Sequence, residues 1–76
     1  MVITTGRIIH LRNLSKQINN GEGMINIDMS KIESYIEIES GDYAKLEIYT
    51  KGRKYVVGCS IDEFEEKYFK YIHTKF

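Results

Sequence analysis

Cys59, His10 and His73 are the residues of this chain whose types could do nucleophilic or metal chemistry. A thiolate is a nucleophile, and a helix N-terminus lowers a thiol's pKa. Cys59 stands just ahead of a helix start signal at Ser60. Its base would have to be His10 or His73, and no spacing places either beside it. The two histidines also lack the close spacing of zinc ligands. Free cysteine is among the most buried residue types, so Cys59 is expected in the core. His73 suits the last turn of a helix, where a cation favours the dipole. Glu33, Glu37, Glu39, Asp42 and Glu47 could pair for glycoside or phosphoryl chemistry. They alternate along strands with Lys31, Lys45 and Lys54 available as partners, and read as a solvated charged face. The expectation is a non-enzyme with no catalytic residue, no metal and no cofactor.

Tyrosine offers a different kind of work. Tyr35, Tyr43 and Tyr49 fall on one side of the expected sheet, beside charged residues. Tyrosine is large, amphipathic and cheap to order, which makes it a common interface anchor. Lys51, Arg53 and Lys54 cluster at a hairpin tip between Tyr49 and Tyr55. These six, Tyr35, Tyr43, Tyr49, Lys51, Arg53 and Lys54, form the expected partner-binding set. A nucleic-acid or nucleotide-binding module is the alternative, using Arg7, Arg12, Lys51, Arg53 and Lys54 with stacking alongside. Eleven basic residues balance eleven acidic ones. That balance lacks the electrostatic footprint of a nucleic-acid binder.

The elements that would hold these residues are legible. Ala44 to Thr50 and Arg53 to Cys59 pair as a hairpin across Lys51-Gly52. Ala44 then faces Cys59, Leu46 faces Val57 and Ile48 faces Tyr55, all on one face, because side chains alternate along a strand. Ile32 to Glu39 is expected as the preceding strand, with Ser34, Ile36 and Ile38 inward and Tyr35, Glu37 and Glu39 outward. A three-residue Ser40-Gly41-Asp42 loop joins the two. Gly6 to Arg12 and Met24 to Asp28 are expected as an earlier antiparallel pair, with Ile25 and Ile27 inward. Met1 to Thr5 leads into the first of them. Asn13 to Gly23 is a polar loop with an Asn19-Asn20-Gly21 turn signal.

The apolar face needs a cover. Ser60-Ile61-Asp62-Glu63 is a capping box opening a helix to about Thr74. Ile61, Phe64, Tyr68, Tyr71 and Ile72 recur on one side of it, with Phe69 and Phe76 at the margin. The predicted fold is α+β: a small, bent four- to five-stranded antiparallel meander covered by one C-terminal helix, residues 1–76 forming a single domain. A chain of 76 residues leaves no room for a deep cleft between domains. One cysteine excludes an internal disulfide and fits a reducing, cytoplasmic setting in a bacterial host cell. No run approaches the length of a membrane span, and no signal pattern opens the chain.

Ile32-Glu33-Ser34-Tyr35-Ile36-Glu37, then Gly52-Arg53-Lys54-Tyr55-Val56-Val57, then Ser60-Ile61-Asp62-Glu63-Phe64 resemble the FlbD-like family of small flagellar, swarming-motility proteins. The resemblance spans Ile27 to Ile72. It implies a non-enzymatic accessory protein that works by contact with a partner. The family's Arg-Leu-Asn-Gly opening is replaced here by Leu11-Arg12-Asn13-Leu14. Small size, no proline, no active-site motif and the missing opening favour a phage-encoded inhibitor of a host enzyme or defence complex, with the flagellar accessory role as the alternative. The expected partner is another protein, with a homo-oligomer through open sheet edges or through Phe69 and Phe76 as a further arrangement.

Overall fold

A computed structural model describes residues 2–74. They form six strands and one helix: β1 (Ile3–Thr5), β2 (Ile8–Arg12), β3 (Met24–Asp28), β4 (Ile32–Glu39), β5 (Lys45–Thr50), β6 (Arg53–Val57) and α1 (Ile61–Thr74). The fold class is α+β, as expected, but the strands divide into two three-stranded antiparallel sheets, β1-β2-β3 and β4-β5-β6. The expected first strand from Gly6 is instead a hairpin. Gly6 and Arg7 make its turn, with Gly6 at φ 60°, a left-handed value that glycine adopts without a Cβ clash.

In the first sheet Ile9 lies opposite Ile27 and Leu11 opposite Ile25. All four are buried, so one face of β2 and β3 is continuously apolar. In the second sheet Leu46 faces Val57 and Ile48 faces Tyr55, the register expected from the alternation. Ala44 and Cys59 lie just beyond the paired ends and are buried too.

The two sheets are stitched together by the chain that leaves β2. Gly58 N–H donates to the Arg12 carbonyl and Leu14 N–H to the Val56 carbonyl, each at 2.9 Å, with Asn13 bridging Val57. Ser15 completes the seam: its Oγ accepts from Val56 N–H at 2.7 Å. The outer edge of β6 is therefore satisfied at its C-terminal end, around Val56, by the protein's own residues.

Asn13 is the hub of that seam. It is 1% exposed, a burial that a polar amide tolerates only when its hydrogen bonds are made. They are made: Nδ2 donates to the Ile18 carbonyl (2.6 Å) and the Glu22 carbonyl (3.0 Å), and Oδ1 accepts from Ser15 N–H (2.8 Å). One side chain thus holds both ends of the 14–22 loop.

Helix α1 closes the core. Ser60 Oγ accepts from Glu63 N–H at 3.1 Å, the expected N-cap. Phe64 is fully buried, with Ile61, Tyr68 and Tyr71 half-buried around it. On the exterior, Lys67 pairs with the adjacent Glu66 at 3.7 Å. Phe69 is exposed; Phe76 lies outside the described residues.

The main departure is in β4. Tyr35 faces Ile48, Ile36 faces Glu47 and Glu37 faces Leu46. Relative to expectation the strand has slipped by one residue, and every central side chain has changed face. Two bulges, between Ile32 and Ser34 and between Glu37 and Glu39, accommodate the slip. The β4–β5 connection is also longer than three residues. A 3-10 turn at Gly41–Tyr43 lies between Ser40 and Ala44.

Candidate functional site

Tyr35 was placed on the outer face with Tyr43 and Tyr49; the structure corrects this. Its ring packs inward, edge-on to Phe64 (centroids 4.8 Å) and to Tyr68 (5.8 Å). Its hydroxyl donates to Glu65 Oε2 at 2.8 Å. Burial, then the bond to Glu65 and its charge, pushes the phenol up to about 12. Tyr35 is a bracket between β4 and α1, and leaves the partner-binding set.

Its inward turn sends Ile36 outward. Ile36 is 55% exposed, and by register it shares the outer face of the second sheet with Ser34, Glu47, Tyr49, Lys54 and Val56. Tyr49 lies opposite Lys54 there, as expected of both. The Tyr49 hydroxyl donates to Glu47, which raises the phenol's pKa, with desolvation and the Glu47 charge adding to the effect. Lys54 Nζ reaches the other Glu47 oxygen at 3.7 Å. Glu47 thus orders a tyrosine and a lysine on a surface bordered by two half-buried or exposed aliphatic side chains, Val56 and Ile36. Beside it, Ile38 is exposed, and Tyr43 in the 3-10 turn is 78% exposed. The isoleucines were missed in the sequence because they were assigned to the core; the missing signal was the pair of bulges.

The tip residues Lys51 and Arg53 are exposed. Arg53 lies 5.9 Å over the Tyr55 ring, a cation–π distance. Ser30, Lys31, Ile32, Glu33, Thr50 and Lys51 line an open groove of about 560 Å³ where β4 meets that tip.

The five cations of the nucleic-acid alternative are not gathered. Arg7 is paired to Asp28 at 2.9 Å. The Asp28 carboxyl is held below its usual range, chiefly by the Ser30 hydroxyl. The Arg12 guanidinium lies over Gly58, at the opposite end of β6 from the tip. The five residues of β6 separate Gly52 from Gly58, six steps or about 20 Å.

The residues that could do chemistry are closer than the sequence implied. His10 and Cys59 line one cavity of about 310 Å³, together with Arg12 and Glu63. They are not wired as nucleophile and base. Both His10 ring nitrogens are engaged, Nδ1 with Asn26 Oδ1 (2.7 Å) and Nε2 with the Thr5 hydroxyl (3.0 Å). The Cys59 thiol donates to the Ser60 carbonyl at 3.3 Å. Burial, then the nearby Glu63 charge, pushes it up to about 11, the opposite of nucleophile activation. Among the described residues no three of His, Cys, Asp and Glu cluster as a metal site. No helix among them is long and apolar enough to cross a membrane.

No protein-family model, no curated protein and no solved structure matches this chain.

Proposed function

We propose that the protein is a non-catalytic binding module that acts by docking another protein on the outer face of its second sheet. The observation that carries this reading is the slip of β4. It places Tyr35 in the core and leaves Ile36 in water beside Tyr49 and Val56. An aliphatic side chain held outward next to an ordered tyrosine, with a charged rim of Glu47, Lys45 and Lys54, is the composition of a small interface. Lys54 and Tyr49 remain in the binding set, Tyr43, Lys51 and Arg53 lie on its border, and Ile36 joins it.

Two settings fit such a module. One is inhibition of a host enzyme or defence complex by a phage-encoded protein. The other is an accessory role at the flagellum, as the FlbD-like segments imply. Both need a face that binds and neither needs turnover. The test is capture from lysate of the native bacterial host with the wild-type chain and with an Ile36→Asp, Tyr49→Ala variant. A protein retained by the first and lost by the second, at unchanged circular dichroism and melting temperature, supports the reading. Equal capture by both chains overturns it.

A further inference from the structure

The two edges of the second sheet are unequal. The β6 edge is filled at its C-terminal end by Asn13, Leu14 and Ser15. β4 pairs with β5 and with no other strand. On its free side, alternate residues direct backbone N–H and C=O groups to solvent. Proteins blunt such edges by keeping them short, covering them, placing charges on them or bulging them. β4 is the longest strand, eight residues, but bulges leave only Ser34 to Glu37 in unbroken register, and its charges are of one sign: Glu33, Glu37 and Glu39, with no cation within it. Glu39 is paired to Lys45 at 3.3 Å. Glu33 and Glu37 have no cation within ion-pair distance among the described residues.

This charge pattern selects the occupant. Within the regular stretch, a second copy pairing antiparallel about Glu37 would lay Glu37 against Glu37, and pairing about Tyr35 or Ile36 would still bring the acids of the two copies onto facing strands. Like charges opposed across strands are destabilising, and every self-pairing register crowds the three acids of each copy onto adjacent strands. A strand of opposite charge meets no such cost. By register Glu37 lies on the Tyr35 side of β4 and Ile36 on the other. A segment alternating a cation with an apolar residue would set its cations on the first side and its apolar residues on the second.

The geometry points to strand addition: β4 takes an extended segment of the partner protein, with Lys or Arg alternating with aliphatic residues, as a fourth strand of this sheet. This rests on the protein-binding reading above and specifies the partner.

The test uses the full chain, isotopically labelled, and an acetylated, amidated octapeptide of alternating lysine and valine. The expected result is shifted amide signals from Glu33 to Glu39 and slowing of their exchange by about tenfold or more. The same peptide N-methylated at alternate residues, which removes one row of donors, should not bind. A glutamate–valine peptide should bind only the Glu33→Lys, Glu37→Lys variant. Equal binding of the methylated peptide would reduce the effect to charge and overturn strand addition. So would perturbation confined to other elements, no response at all, or a β4-paired dimer of the free chain in light scattering. If the peptide fails while Ile36→Asp, Tyr49→Ala still abolishes capture, the outer-face reading stands and the added strand alone is refuted.

Discussion

Asn13 and Cys59 are buried side chains that do opposite things with their polarity. Asn13 has both ends of its amide engaged by the 14–22 loop. Asn13→Ala strands two carbonyls and one N–H, and is expected to cost about 1–3 kcal/mol per buried group left unpaired. Asn13→Asp keeps the shape but turns a donor into an acceptor facing two carbonyls. It should destabilise at least as much, read as a lower urea midpoint. Neither effect was visible in the sequence, where Asn13 was only the start of a polar loop; nothing local distinguishes a buried asparagine from a solvated one. Cys59 was legible, because alternation from Leu46 and Val57 carried it inward. Held at about 11 instead of 9.0, its thiol is ionised about a hundredfold less at pH 8 than a free one. Labelling of the folded chain with a thiol reagent at pH 8 should be slower by about that factor. It should reach the free-thiol rate in denaturant.

At the scale of elements, what was readable was whatever obeyed a strict period. The β5–β6 register, the inward Ile25 and Ile27, and the Ser60 cap all follow from periods of two or 3.6 and a capping rule. β4 did not, because Ile32, Ser34, Ile36 and Ile38 share one parity while two bulges change the count. What decides the register is a tertiary choice: Tyr35 offers α1 two ring contacts and a hydroxyl bond to Glu65. Tyr35→Phe should therefore lose about 0.5–1.5 kcal/mol while keeping the register. The wild-type phenol also implies an alkaline limit. Its folded pKa, about 12, lies above the ordinary phenol value of 10.0. Its contribution is full below pH 10 and lost as pH rises through about 12, because the unfolded chain deprotonates first. The thiol follows the same sign between 9.0 and about 11. Melting temperature should fall across pH 9–12, less steeply in a Tyr35→Phe, Cys59→Ala double variant.

For the whole molecule, the fold class was legible and the division into two sheets was not. Alternation tells which residues share a face, not where a bent ribbon breaks. The chain passes from one sheet to the other at the 3-10 turn Met29–Lys31, and the two are rejoined by the seam of Arg12 to Ser15 with Val56 to Gly58, whose partners lie over forty residues apart in sequence. Because both sheets and α1 share one core, unfolding in urea is expected to be a single transition, with near- and far-ultraviolet circular dichroism coincident. Hydrogen exchange should still separate the strands. Central β5 is expected to be slow, and the unpaired amides of β4 fast, at the low end of local stability.

The seam through Ser15 has one more effect. Sheets that recruit strands tend to keep recruiting them, and fibrils grow because each newcomer offers a fresh edge. Here the far side of β6 is already occupied around Val56 by the chain's own backbone and one hydroxyl, so hydrogen bonding carried inward from β4 meets a closed stretch two strands later. A molecule built this way works against propagation: among the described residues, the second edge of that sheet is interrupted where a stack would have to continue.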